Sequence, residues 1–219
     1  MNILEHALHI LLHLNLYLGD LINEYGIWTY AILFLIVFCE TGLVVTPFLP
    51  GDSLLFAAGS LFASTQFNIH GLVIMLIVAA LCGDNCNYWL GRWLGPKIFH
   101  NQTRWLRQEY LLKTHHFYQR YGAKTIIIAR FLPIIRTFAP FVAGIATMPY
   151  AKYLGLSVIA AILWVCLMVY VGYYFGNIAW VKQNFSMVIL AIIVLSLLPP
   201  IIELLKHLWK KKHHDKTSH

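Results

Sequence analysis

The sequence predicts an all-α polytopic membrane protein: an inverted repeat with two opposed proline-broken re-entrant hairpins, transmembrane helices and an N-terminal interfacial helix. Three observations predict this class. The 219 residues are 59% hydrophobic and only 11% charged, whereas soluble domains are about a quarter charged and less than half apolar. Long runs without Asp, Glu, Lys or Arg alternate with clusters of positive charge. Prolines and glycines interrupt two of the apolar segments.

Residues 1–25 are expected to form the interfacial helix. Leucines alternate there with His6, His9 and His13 and with the acids Glu5 and Asp20, a pattern typical of an amphipathic helix at the membrane surface. The three histidines could indicate metal binding or pH sensing, but a solvated helix face is the preferred interpretation. The first basic residue is Arg92, so a cleaved signal peptide with a basic start is not expected.

Three charge-free runs, 53–83, 153–181 and 183–202, reach the ~20 apolar residues that cross a bilayer. The last predicts a final transmembrane helix over 183–205. A shorter run, 26–39, can cross only if it starts near the interface or continues into the following residues.

Positive charge is concentrated in a basic segment, 92–124, and in a basic tail, 206–219. Short basic segments beside membrane spans stay in the cytoplasm, so both termini are expected to be cytoplasmic. The net charge of +7 is therefore assigned to anionic lipid headgroups as neighbours and not to nucleic acid.

With the basic segment and the start of the next span both cytoplasmic, residues 125–150 must enter the membrane and return to the same side. Residues 40–62 must do the same from the outside. Irregular backbone at membrane depth is tolerated inside protein or beside a watery cavity. The residues expected to break the two hairpins are Pro47, Pro50 and Gly51 in the first and Pro133 and Pro140 in the second.

The two halves resemble each other. PFLPGDSLLFAAG ends at Gly59 and PIIRTFAPFVAG ends at Gly144, and each leads to a span that ends in Gly-x-x-x-Gly, GRWLG or GYYFG. This predicts a first repeat over 26–91 and a second over 125–176, with the substrate site where the broken helices meet. Chance similarity between apolar segments rich in proline and glycine is the alternative. Gly-x-x-x-Gly alone commonly reflects close helix packing.

Four ionisable residues lie in the hairpins: Glu40 and Asp52 in the first, Arg130 and Arg136 in the second. Charges inside a membrane are costly, and functional sites are where they occur. Arginine offers a planar fork of donors for phosphate, and a carboxylate in a partly dry cavity can carry a proton. The alternative is a structural set of salt bridges, two charges against two. Asp84 is a secondary candidate that hydrogen bonds to the broken hairpin would also explain.

The sequence lacks the HExxH, P-loop and GxSxG patterns and the elements of membrane lipid phosphatases, so no enzymatic activity is predicted. No cofactor or metal site is expected. Cys82 and Cys86 share a helix face without further ligands, and the four cysteines are expected to be buried reduced thiols.

The segments ETGLVVTPFLPGDSLLFAAG and ARFLPIIRTFAPFVAG resemble the two signature segments of the bacterial DedA family of inner-membrane proteins. The similarity extends over nearly the whole chain, from YGIWTYAILFLIVFCE to GYYFG. It implies a polytopic fold of the SNARE-associated (VTT) superfamily, a role in envelope homeostasis that depends on the proton motive force, and recycling of undecaprenyl phosphate. It also implies that Glu40 and Asp52 are the family's essential acids and that Arg130 and Arg136 are its essential arginines.

The leading hypothesis is therefore a flippase that returns undecaprenyl phosphate from the outer to the inner leaflet. Arg130 and Arg136 would bind the phosphate, and Glu40 and Asp52 would couple the movement to protons. Two alternatives stay open. One is a proton-coupled exporter of small cations with structural arginines, and the other is a scaffold for envelope enzymes that transports nothing.

Overall fold

A computed structural model describes residues 24–42, 51–100, 126–127, 129–130, 132–195 and 198. Most of the predicted interfacial helix, Pro47 and Pro50, most of the basic segment and the basic tail lie outside these residues.

The regular structure in the described part of the chain is helical, as predicted. The helices are α1 (Trp28–Gly42), α2 (Gly51–Phe62), α3 (Ile69–His100), α4 (Pro133–Ile145), α5 (Tyr150–Phe175), α6 (Ala179–Gln183) and α7 (Phe185–Leu195).

Two of these helices are long and apolar enough to cross a membrane. They are the first 27 residues of α3, Ile69–Gly95, and the 26 residues of α5. Helix α3 continues without a break to His100, so the predicted basic segment begins inside a helix. Large apolar side chains are exposed on the outer faces of both helices, Ile74 on α3 and Leu167 on α5 among them. A helix that is apolar on its outer face as well as its inner face is suited to lipid.

The cysteines differ in part from the expectation. All four are free thiols, but Cys82 and Cys86 are exposed on α3, and Cys39 and Cys166 are only partly buried. The reason is that the outer face of α3 is as apolar as its inner face, so apolar sequence alone does not separate the core from the lipid-facing surface.

The helices pack in an exchanged arrangement: α2 packs against α5, and α4 packs against α3. Glycines allow the backbones to approach closely in both pairs. A Cβ atom on Gly59 of α2 would overlap the carbonyl group of Val169, and one on Gly172 of α5 would overlap that of Phe56.

Helices α3 and α4 approach each other through the same kind of glycine–carbonyl contact. A Cβ atom on Gly144 of α4 would overlap the carbonyl group of Tyr88, and one on Gly91 of α3 would overlap that of Phe141. In each of the four cases the carbonyl belongs to the residue three positions before the facing glycine. The two interfaces are therefore built from equivalent backbone contacts.

Helix α4 begins where the sequence predicts a break. Leu132 is extended, with φ −113° and ψ 105°, and Pro133 is the first helical residue, a position where proline's missing N–H costs nothing. Pro140 was also expected to break the hairpin, but it lies inside α4, which continues to Ile145. Proline removes one hydrogen bond from a helix without forcing it to end, and α4 is packed along α3 over this stretch.

Candidate ion-pair site between the hairpin helices

Five ionisable side chains meet in the interior of the protein. Their exposed fractions are 1% for Glu40, 9% for Asp52, 2% for Asp84 and 4% for each of Arg130 and Arg136. They come from α1, α2, α3, the turn before α4, and α4 itself. The structure thus brings together all four of the principal candidates and the secondary one.

Arg136 joins the two hairpin segments. Its Nη1 donates to Asp52 Oδ1 at 2.8 Å, and its Nη2 donates to Glu40 Oε1 at 2.5 Å. The backbone N–H of Gly51 donates to the same Glu40 oxygen at 3.1 Å. One guanidinium fork therefore fixes the end of α1 relative to the start of α2, using the directional donors that distinguish arginine from lysine.

Arg130 forms a second ion pair, with Asp84 of α3 through Nη1 and Oδ2. Ser157 of α5 donates to the same Asp84 oxygen at 2.7 Å. The hydroxyl group of Tyr153, one turn earlier, donates to the backbone carbonyl of Asp84 at 2.9 Å. Asp84 is thus the counter-ion of Arg130. The sequence had suggested only a supporting hydrogen bond to the broken hairpin.

Trp164 of α5 lies at the centre of the site and was not predicted. Its Nε1 donates to Asp52 Oδ1 at 2.7 Å. The Cζ atoms of Arg136 and Arg130 lie 4.5 and 5.0 Å from its ring centroid, within range of cation–π attraction. One fully buried indole therefore contacts both ion pairs. In the sequence it is a tryptophan in an apolar span, which does not distinguish it from a core residue.

Asn87 of α3 makes a further polar link between α1 and α4. Its Nδ2 donates to the carbonyl oxygen of Thr41 at 2.6 Å and lies 3.4 Å from that of Thr137. Thr41 is in the last turn of α1, and Thr137 follows Arg136 in α4. This amide therefore connects α1 and α4 next to the ion pairs.

Several polar atoms of the site have no hydrogen-bond partner among the described residues. Three are donors, Arg130 Nε, Arg130 Nη2 and Arg136 Nε, and three are acceptors, Glu40 Oε2, Asp84 Oδ1 and Asn87 Oδ1. Buried polar groups are nearly always hydrogen-bonded, and each unpaired one needs an explanation. The cluster therefore has the capacity to bind a polar ligand.

Among the described residues the charges of the site do not cancel. Three carboxyl groups contact two guanidinium groups there, whereas the sequence predicted two charges against two. A purely structural set of salt bridges is expected to balance, because an uncompensated buried charge is costly.

A family profile of the VTT domain matches residues 49–174 of this chain. Protein DedA of Escherichia coli K12 is 51% identical over 210 residues, covering 94% of this chain and 96% of its own. An uncharacterized membrane protein of Mycobacterium leprae is 42% identical over 168 residues, covering 76% of this chain and 75% of its own.

A third relative is the inner membrane protein YqjA of Escherichia coli, 33% identical over 192 residues, or 85% of this chain and 87% of its own. No solved structure matches the chain. The profile match covers more than half of the residues, including four of the five charged side chains of the site. The chain therefore belongs to the DedA family of membrane proteins, which is built on the VTT domain.

Proposed function

We propose that this membrane protein is a proton-coupled lipid transporter that moves undecaprenyl phosphate from the outer to the inner leaflet of the bacterial inner membrane. The observation that carries the proposal is the pair of buried guanidinium groups, Arg130 and Arg136, converging on the ring of Trp164. Two arginines at one point inside an apolar protein are suited to an anionic headgroup. The lipid's identity comes from the family resemblance.

The unpaired donors favour phosphate as the ligand. Arg130 has two N–H groups without a partner among the described residues, and Arg136 has one. A phosphate group has oxygens that accept several such donors, and arginine binds it through parallel N–H groups. The undecaprenyl chain can remain in lipid, so only the headgroup needs the polar site.

Proton coupling follows from competition for the same donors. Glu40 and Asp52 already occupy both Nη atoms of Arg136. A phosphate that binds this guanidinium group through two parallel N–H groups must therefore replace at least one of the two carboxylates, although the unpaired N–H groups are open to it. A displaced buried carboxylate is costly as an anion and takes up a proton instead. Headgroup binding and proton binding should therefore favour each other, and lower pH should strengthen the binding of the anion.

The exchanged packing supports the proposed inverted repeat. Gly59 and Gly144 hold matching positions in the two similar segments, and each contacts the span of the other half through the same kind of carbonyl contact. In this arrangement 40–62 and 125–150 are re-entrant hairpins from opposite faces, and the site lies where they meet. Both termini are then cytoplasmic, and the turns 62–70 and 176–182 face outward.

The substitution Arg136→Lys tests the phosphate assignment. Lysine keeps the charge but loses the fork that donates to two partners at once. One charged hydrogen bond contributes about 1.5–3 kcal/mol, so headgroup binding should weaken by about tenfold or more. Transport of undecaprenyl phosphate in proteoliposomes should fall with it.

Arg92→Lys is the matched control, because the same change is made on an exposed arginine of α3. It should leave binding and transport unchanged. Normal headgroup binding and transport by Arg136→Lys would contradict the phosphate site and favour a structural role for the arginines.

A proton-coupled exporter of small cations is the second candidate, favoured by the excess of carboxyl groups over guanidinium groups. Against it, no group of three His, Cys, Asp or Glu side chains among the described residues could hold a metal ion. Cation flux in the same proteoliposomes, without lipid movement, would establish it. A scaffold that transports nothing would survive Asp52→Asn, whereas either transporter would lose activity.

A further inference from the structure

We infer that the resting site holds one proton on Oε2 of Glu40. This proton neutralises the excess negative charge of the Glu40–Asp52 pair, because Asp84 is the counter-ion of Arg130. The inference rests on the proposed function only in its consequence for transport. The charge count that leads to it is independent of any substrate.

The first step is the pairing. Arg130 contacts one carboxyl group, that of Asp84. Arg136 contacts two, those of Glu40 and Asp52. The pair at Arg130 is therefore balanced, and the excess negative charge lies at Arg136.

Second, the excess negative charge at Arg136 is energetically costly. Glu40 and Asp84 are 1% and 2% exposed, and Asp52 is 9% exposed. A buried ion without compensation costs several kcal/mol even after relaxation. Two carboxyl groups that share one site cannot both ionise cheaply, and one of them keeps a proton. The Glu40–Asp52 pair is such a site, because both accept from the same guanidinium group.

The third step assigns the proton to Glu40. Asp52 Oδ1 accepts from both Arg136 and Trp164, which stabilises an ionised carboxylate. Glu40 Oε1 accepts hydrogen bonds from Arg136 Nη2 and from the backbone N–H of Gly51. Glu40 Oε2 is buried and has no partner among the described residues. A proton on Oε2 leaves both Oε1 contacts in place.

In the part of the chain that the structure describes, the neighbouring elements add no further charge to the three acids and two arginines. The ionisable groups there that face Arg136 and its two acids are Asp84 from α3 and Arg130 from the turn before α4. Helix α5 contributes Tyr153, which faces Asp84, and the neutral Trp164. Tyrosine is neutral near pH 7. The sum over three acids and two arginines is one negative charge, which one proton neutralises.

The resting proton also sets how many protons are taken up for each phosphate headgroup in the proposed transport cycle. Because Glu40 already holds a proton, a headgroup that displaces Asp52 from Arg136 requires one further proton. Binding of one phosphate headgroup should therefore take up one proton from solution.

Infrared spectroscopy of the purified protein tests the resting proton. At neutral pH, without lipid substrate, we expect the carbonyl band of one protonated carboxyl group per protein. Glu40→Gln, Asp52→Asn and Asp84→Asn should each reduce it from one to none, because each makes two acids face two arginines. Loss in all three variants is the signature of charge balance, since a Glu40 proton that did not depend on the net charge of the site would disappear only in Glu40→Gln. Glu24→Gln, which removes an exposed acid outside the site, should leave the band intact.

Size-exclusion chromatography would reveal a variant that fails to fold. Even then, the wild-type spectrum alone shows whether the resting site holds a proton. Absence of the band in folded wild type, or its replacement by one bound sodium ion, would overturn the inference. So would a band that survives Asp84→Asn but is lost in Glu40→Gln. Phosphate binding is measured separately: its absence beside an intact band refutes the proposed function alone, and normal binding without the band refutes this inference alone.

Discussion

Replacing Gly172 by alanine tests the close approach of α2 and α5. The new Cβ atom would lie 2.8 Å from the carbonyl carbon of Phe56 and would overlap its oxygen. Non-bonded carbon atoms are most stable at about 3.5–4.0 Å, so the two helices would have to separate by roughly 0.7–1.2 Å. Overpacking of this kind typically costs about 1–3 kcal/mol.

Gly155→Ala is the matched control on the same helix. Gly155 is exposed, and a Cβ atom there would have no neighbour within 4 Å. Both substitutions gain the same helix propensity, up to about 1 kcal/mol, so the difference between the two variants isolates the overlap. For a chain of this size, 1–3 kcal/mol corresponds to a difference in melting temperature of about 2–12 °C.

The assay is thermal unfolding in detergent followed by circular dichroism, with transport measured in parallel. Separation of α2 from α5 should also lengthen the 2.7 Å hydrogen bond between Trp164 and Asp52, so Gly172→Ala should lower transport and Gly155→Ala should not. A Gly172→Ala protein as stable as Gly155→Ala would refute the close packing of these helices.

Three further predictions concern the site and its orientation. Asp52→Asn should abolish proton-dependent transport in proteoliposomes while the protein stays folded, because Asp52 is the acid that takes up a proton when the headgroup binds; full activity in both acidic and alkaline medium would make this acid structural. A cysteine placed at the exposed Gln66 should react with an impermeant thiol reagent in intact cells, and protection there would reverse the proposed topology. Trp164→Phe should weaken headgroup binding less than Trp164→Leu, because phenylalanine keeps an aromatic face for the guanidinium groups, a contact that contributes up to about 2 kcal/mol when desolvated. Equal binding by the two variants would show that the ring face does not position the arginines.

The charge-free runs predicted the membrane-spanning helices only in part. The run 153–181 matches α5, whereas 53–83 covers most of α2 and only the first half of α3, which continues past Asp84. The end of α3 was not predictable in the same way, since Arg92 marks the edge of the apolar run and not the end of the helix. Pro140 shows the same limit: proline lowers helix stability, but packing along α3 decides whether the helix continues.

The identity of the site residues was predictable, but their pairing was not. A charged residue inside an apolar segment is conspicuous in any sequence, and Glu40, Asp52, Arg130 and Arg136 stood out for that reason. Which acid contacts which arginine depends on how α1, α2, α3 and α4 pack together. Asp84 is 46 residues from Arg130, and no local pattern links the two.

The exchanged packing of the helices also has a consequence for biosynthesis. Helix α2 is synthesised early, but the tryptophan that contacts its Asp52 follows 112 residues later. At about 5–20 residues per second, the ribosome adds those residues in roughly 6–22 s. Until Arg136 follows, 84 residues after Asp52, Asp52 has neither this arginine nor Trp164 as a partner. For the whole interval the glycine-lined face of α2 has no helix α5 to cover it. Helix α2 must therefore wait at the membrane, or beside an insertion factor, until the second half of the chain arrives.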